Sequence, residues 1–177
     1  MDVCSTQSCK RPATVRLSYT PARYCDKHFL YHIEKRVRKH LREKKEIRAN
    51  ETYVLKPTKT KEYAIAQHFL KSIFKSHITL KKKGSEKEII PTNLDKENSQ
   101  FIEMYLQGKI KKMKKEILIL EDVMNEELMQ IARILKIPAK PEAQHPIIAA
   151  MEKKHPGTQF ALRKSRKYHE TIYQAFH

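Results

Sequence analysis

Apolar residues recur every fourth position from Phe29 through Ile33 and Val37 to Leu41, with polar and basic residues between them. That period lays one apolar stripe along a helix. Asp26 stands just ahead of the stripe, where a side-chain oxygen can cap the free N–H groups of the first turn. Beyond Arg48 the pattern changes to short apolar runs separated by longer helical stretches. Residues 53–55 predict a strand, and 61–75 a helix with Ile65, Phe69 and Ile73 in register. Residues 78–80 and 88–91 predict two more strands. Asn93 or Asp95 then caps a helix that Gly108 stops. A strand over 116–120, a helix over about 125–136 and a Pro-punctuated stretch from 138 to 146 follow, and Pro156-Gly157 ends a further helix.

Strands alternating with helices imply βαβ units, which form parallel sheets. The expected class is α/β, with a small N-terminal module over residues 1–48 and a layered domain with a mostly parallel sheet over 49–177. In such sheets the ligand crevice lies at the carboxyl ends of the strands. The loops at 56–62 and 92–97 both fall there. A strand, a loop and a helix N-terminus are also the parts of a phosphate site. The 56–62 loop, however, contains no glycine.

Charge adds a partner to this picture. The 177 residues carry 37 Lys+Arg against 20 Asp+Glu, a net +17, and most of the excess lies before residue 121. So basic a chain is an electrostatic match for nucleic acid. No stretch approaches the ~20 apolar residues that cross a bilayer, and the N-terminus lacks the apolar segment of a signal peptide. The expectation is a cytoplasmic protein without membrane contact. On the helix after Asp26, Arg36 and Lys39 are candidate phosphate contacts. Arg163, Lys164, Arg166 and Lys167 form a second basic cluster beside Tyr168 and His169. Cations next to aromatic rings suit RNA, through phosphate contacts and base stacking.

The three cysteines supply the chemistry. Cys4, Cys9, Cys25 and His28 read C-x4-C-x15-C-x2-H. An odd count disfavours a disulfide framework. Two close pairs of soft donors instead suit a tetrahedral Zn²⁺ site. Three thiolates and one imidazole leave that site at a formal −1, which Lys10, Arg11, Arg23 and Lys27 can offset. Four protein ligands leave no open position, so the role is structural, and metal binding contributes to folding.

Taken together, the motifs resemble a family. The segment from Cys4 to Val37, with CKRPA, YCDKHF and EKRV, resembles the N-terminal zinc module of archaeal and eukaryotic tRNA 2-thiouridine synthetases. These are sulfurtransferases of the PP-loop, or N-type ATP pyrophosphatase, superfamily. Thr92 to Glu97 resembles the family's His-Asn-Leu-Asp-Asp-Glu segment, and Glu152 to Ser165 its Glu-x-x-x-Pro-Gly-Thr-x-Phe stretch. Thr58 to Tyr63 stands where the family has the phosphate loop Ser-Gly-Gly-Lys-Asp-Ser. The likeness runs in order through most of the chain.

The departures set the functional expectation. Lys59 and Thr60 replace the glycines of the phosphate loop, although backbone N–H groups there must approach phosphate closely. Lys61 and Glu62 keep a charge and a carboxylate, so Lys61, Glu62, Asn93 and Asp95 are the remnants of a nucleotide site. No cysteine follows Cys25, whereas the family carries two in its catalytic domain. One βα segment and a second zinc module are also expected to be missing. The resemblance thus implies a non-catalytic, tRNA-binding homologue, a partner or regulator in tRNA thiolation beside an intact synthetase. Two alternatives stand with it: a reduced but active ATP-dependent sulfurtransferase, and a stand-alone zinc protein that binds structured RNA.

Overall fold

A computed structural model describes residues 2–84, 87–108 and 116–176. The N-terminal segment forms an antiparallel pair, β1 (Val15–Leu17) and β2 (Thr20–Tyr24), which runs into a long helix α1 (Asp26–Lys44). Then follow β3 (Glu51–Leu55), α2 (Lys61–Phe74), β4 (Ile78–Lys81), β5 (Glu88–Asn93), α3 (Leu94–Leu106), β6 (Ile117–Leu120) and α4 (Asn125–Leu135). Two helices end the chain, α5 (Pro146–Lys154) and α6 (Thr158–Phe176).

The second sheet has the order β4-β3-β5-β6, and all its pairs are parallel. The α/β class with a parallel sheet is therefore as the alternating pattern implies. The chain leaves β3 toward β4 on one side and leaves β5 toward β6 on the other. A topological switch point lies between the carboxyl ends of β3 and β5, the usual place of a ligand crevice in open α/β sheets.

One core joins the two parts. Phe29, Ile33, Val37 and Leu41 of α1 pack in the same buried cluster as Val15, Leu17, Leu55, Ile65, Phe69, Ile89 and Ile119. The period-four stripe of α1 is thus spent on packing, and its remaining faces stay exposed or carry ion pairs. Among the described residues no helix is long and apolar enough to cross a membrane.

Local chemistry accounts for several element ends. Asn93 is the N-cap of α3, and its Oδ1 accepts from the Lys96 N–H at 2.9 Å. Asp26 does not cap α1. It occupies the first turn, Cys25 takes the cap position, and Asp26 Oδ1 accepts instead from Thr14 and Arg133. Lys136 closes α4 in the left-handed region at φ 56. Glu152 caps α6 from the preceding helix: its carboxylate accepts from the backbone N–H of Gly157 at 2.6 Å and of Gln159 at 3.1 Å. The Glu-x-x-x-Pro-Gly-Thr spacing has this helix-to-helix cap as its physical reason.

Candidate functional site

The β1–β2 pair and the start of α1 bring Cys4, Cys9, Cys25 and His28 together, one donor atom from each lying within 4.8 Å of all the others. His28 Nδ1 is 3.4 Å from Cys4 Sγ and 3.5 Å from Cys25 Sγ. A Zn–S bond of about 2.3 Å and a Zn–N bond of about 2.0 Å at tetrahedral angles separate sulfur and nitrogen by roughly 3.5 Å. The spacing therefore fits a single four-coordinate ion. Burial opposes ionisation of Cys4, but hydrogen bonds from the Thr6 hydroxyl, the Cys25 and Thr6 N–H groups and His28 lower its thiol to about 6. A thiolate ready at neutral pH is the form a metal takes. Cys9 moves the other way. The Arg11 N–H favours its thiolate, but desolvation and the sulfurs of Cys4 and Cys25 outweigh it and push the thiol up.

The second place of interest is the switch-point crevice. Lys61 and Glu62 open α2, and both are buried. Glu62 Oε1 accepts from Asn93 Nδ2 at 2.8 Å and Lys96 Nζ at 2.9 Å, with Lys61 Nζ 3.4 Å away. Glu142, from the Pro-punctuated stretch, lies 2.8 Å from Lys61 Nζ and 3.2 Å from Lys96 Nζ. Burial alone would raise the Glu62 carboxyl, but the Lys96 and Lys61 ammonium groups hold it below the ordinary carboxylate range. Two lysines thus converge where a phosphate would sit, and two carboxylates of the chain itself neutralise them.

The backbone of residues 56–60 agrees with this. None of these residues has a positive φ, so the loop does not form the alternating right- and left-handed nest that aims N–H groups at an anion. Asp95 is likewise tied inward. Its Oδ2 accepts from the Asn125 N–H at 2.6 Å and its Oδ1 from Gln159 Nε2 at 2.8 Å, which holds α3 against α4 and α6. Of the residues expected at a nucleotide, Lys61, Glu62 and Asn93 meet in one network, and Asp95 lies outside it, bonded to α4 and α6.

The comparisons bear on the fold at this point. No protein-family model matches the sequence, and no curated protein matches it. Among solved structures, the U34-tRNA thiolase NcsA from Methanococcus maripaludis, determined with its [4Fe-4S] cluster, superposes with a TM-score of 0.79. The match covers 96% of this chain and 87% of that one at 14% identity. The fold is thiolase-like. At this identity the likeness concerns the fold, and the chemistry is argued from this chain's own residues.

The structure divides the expected RNA contacts. Arg166 is 1% exposed, with Nη1 on Glu97 at 2.8 Å and Nη2 3.8 Å from Glu121. It cannot reach a phosphate outside the protein, which corrects that assignment. Arg163 grips Asp122, and Arg36 pairs with the fully buried Glu127, which also accepts from the Tyr19 hydroxyl. Lys167 lies 3.2 Å from Glu121 and is partly exposed. Lys39 is exposed, held only by a 3.7 Å contact to the equally exposed Glu43, and Lys164 is exposed. Lys39 and Lys164 remain the members of that set with charge directed to solvent.

One buried group escapes sequence reasoning. His40 on α1 sits 3.4 Å from Glu121 and 3.3 Å from Asp122, both just past the end of β6. Lys44, Arg163, Arg166 and Lys167 surround the two acids. These donors could also hold a metal by distance, but four cations around them make a further cation unfavourable. The signal was present in the acidic pair directly after an apolar strand and in a histidine three residues past Val37.

Proposed function

We propose that this chain is a non-catalytic, tRNA-binding homologue of tRNA 2-thiouridine synthetases that serves as a partner or regulator of an intact synthetase in tRNA thiolation. One observation carries the reading. At the switch point, where a thiolase-like fold would hold a nucleotide, the Lys61–Glu62–Lys96–Glu142 network ties up both lysines beside a loop without a phosphate nest. The sequence supports it from a second side, because no thiol follows Cys25 to carry sulfur or a cluster. The Cys3His group supports a structural zinc ion, since its four protein donors leave no open position. The net +17 supports tRNA as the partner.

Isothermal titration with Mg–ATP tests the catalytic half: no heat at millimolar nucleotide is expected, and micromolar binding would restore an enzyme. Filter binding of total tRNA across a salt series tests the other half. The expected log–log slope is steep, because each neutralised phosphate adds roughly 0.7–0.9 to it. A slope near zero would remove tRNA as the partner.

A further inference from the structure

Resting on the tRNA reading above, we propose that the rim of the metal module and one face of α1 form a built RNA-docking ridge: Lys10, Arg11 and Lys27 bind phosphate, and Tyr31 stacks an unpaired base.

Ser8, Cys9, Lys10, Arg11, Lys27 and His28 line an open depression beside the metal ligands. Its three cations are exposed, and among the described residues none of them pairs with an acid. The nearby acids are already engaged. Asp2 pairs with Arg16 and Arg23, and Asp26 accepts from Thr14 and Arg133. A Cys3His metal centre carrying a divalent ion has a formal −1, so these three cations exceed what it needs by two. The depression keeps a net positive charge with the metal in place.

Tyr31 is 64% exposed, one turn from Lys27 along α1. Four residues of helix rise about 6 Å, so Lys27, Tyr31 and Lys35 stand in a row on one solvent-facing strip. An exposed tyrosine flanked by free ammonium groups offers a π-face for a base and charge for the phosphates on either side. The opposite face of α1 is fixed in the core by Phe29, Ile33 and Val37. The strip is therefore rigid, and its groups lose little freedom on binding. Arg36, on another side of the helix, is engaged by Glu127 and is not part of it.

The test uses the full-length, metal-loaded protein and total tRNA. Lys10→Glu/Arg11→Glu/Lys27→Glu should weaken binding at least tenfold and flatten the salt slope by about 2. Tyr31→Ala should weaken it about tenfold with an unchanged slope, and Tyr31→Phe should restore it, because stacking needs the ring and not the hydroxyl. Lys153→Glu/Lys154→Glu on α5 serves as the charge control. Metal content and far-UV circular dichroism confirm that each variant is folded. Wild-type affinity in both ridge variants, with tRNA still bound, would overturn the ridge and leave the proposed function standing. Failure of the wild-type protein to bind tRNA would overturn both. A photocrosslinker at position 31 that captures a synthetase polypeptide and no RNA would also overturn it.

Discussion

Removing the Arg166 side chain should cost far more than removing any surface lysine. Its guanidinium is buried against Glu97 and Glu121, and Glu97 in turn accepts from Thr92 at 2.8 Å. Arg166→Met would strand Glu97 and part of the Glu121 charge in the interior, a loss of about 3–5 kcal/mol. Urea denaturation measures it, and Lys164→Met, on the exposed side of the same helix, should change stability by less than about 0.5 kcal/mol. The same network sets a pH dependence. Burial would raise the Glu121 and Asp122 carboxyls, but Lys44 and His40 beside the first, and His40 and Arg163 beside the second, lower both. A carboxyl lowered in the native state binds its proton less well than in the unfolded chain, where it titrates near about 4. Its stabilisation is complete above that value and is lost as pH falls through the lowered one. The thermal midpoint should hold from pH 7 to 5 and fall below pH 4, and Glu121→Gln/Asp122→Asn should start lower and fall less steeply. An equal fall in both proteins would assign the acid transition to other groups.

At the level of elements, the sequence announced what periodicity can announce. The strands of the parallel sheet and helices α1 to α4 were legible because apolar spacing and the Asn93 and Gly108 signals are local. The β1–β2 pair was not, since its strands are short and Val15 and Leu17 are buried only by contact with the distant α1 stripe. The basic run on α6 was visible as charge, but which cations face water depends on Glu97, Glu121 and Asp122, far away in sequence. The Cys3His group was legible as a candidate metal site because cysteine and histidine at paired spacing have few other uses. Their removal gives an element-scale prediction. Chelation should raise hydrogen exchange across residues 4–24, where Cys4, Ser5 and Thr14 donate backbone hydrogen bonds within the module. Exchange should stay slow at residues 29–41 of α1, whose apolar stripe is anchored in the core. Cys9→Ser should lower metal content at fixed free zinc, while loss of α1 protection on chelation would mean that the metal holds the whole fold.

On the scale of the molecule, an open parallel sheet with a switch point creates a crevice whether or not a ligand uses it. Here the chain's own Lys61, Glu62, Lys96 and Glu142 pair with one another at that switch point, and the pairing has structural value. Lys61 has almost no solvent contact, and its ammonium faces Glu142 at 2.8 Å and Glu62 at 3.4 Å. Glu142→Gln would leave two lysines sharing Glu62, a destabilisation of about 1–3 kcal/mol, the range for a buried group that loses its partner. The substitution also separates a plugged site from a lost one. If the Glu142 carboxylate were the sole obstacle, Glu142→Gln would bind Mg–ATP. The expected result is no binding at millimolar nucleotide, because Lys59 and Thr60 keep the backbone out of the left-handed conformations a phosphate nest needs. Placing glycine at both positions together with Glu142→Gln should then give measurable affinity for inorganic pyrophosphate, since Lys61 and Lys96 would face freed N–H groups at the start of α2. Nucleotide binding by Glu142→Gln alone would show that the cradle is intact and only covered, and the chain would have to be read as an enzyme held shut.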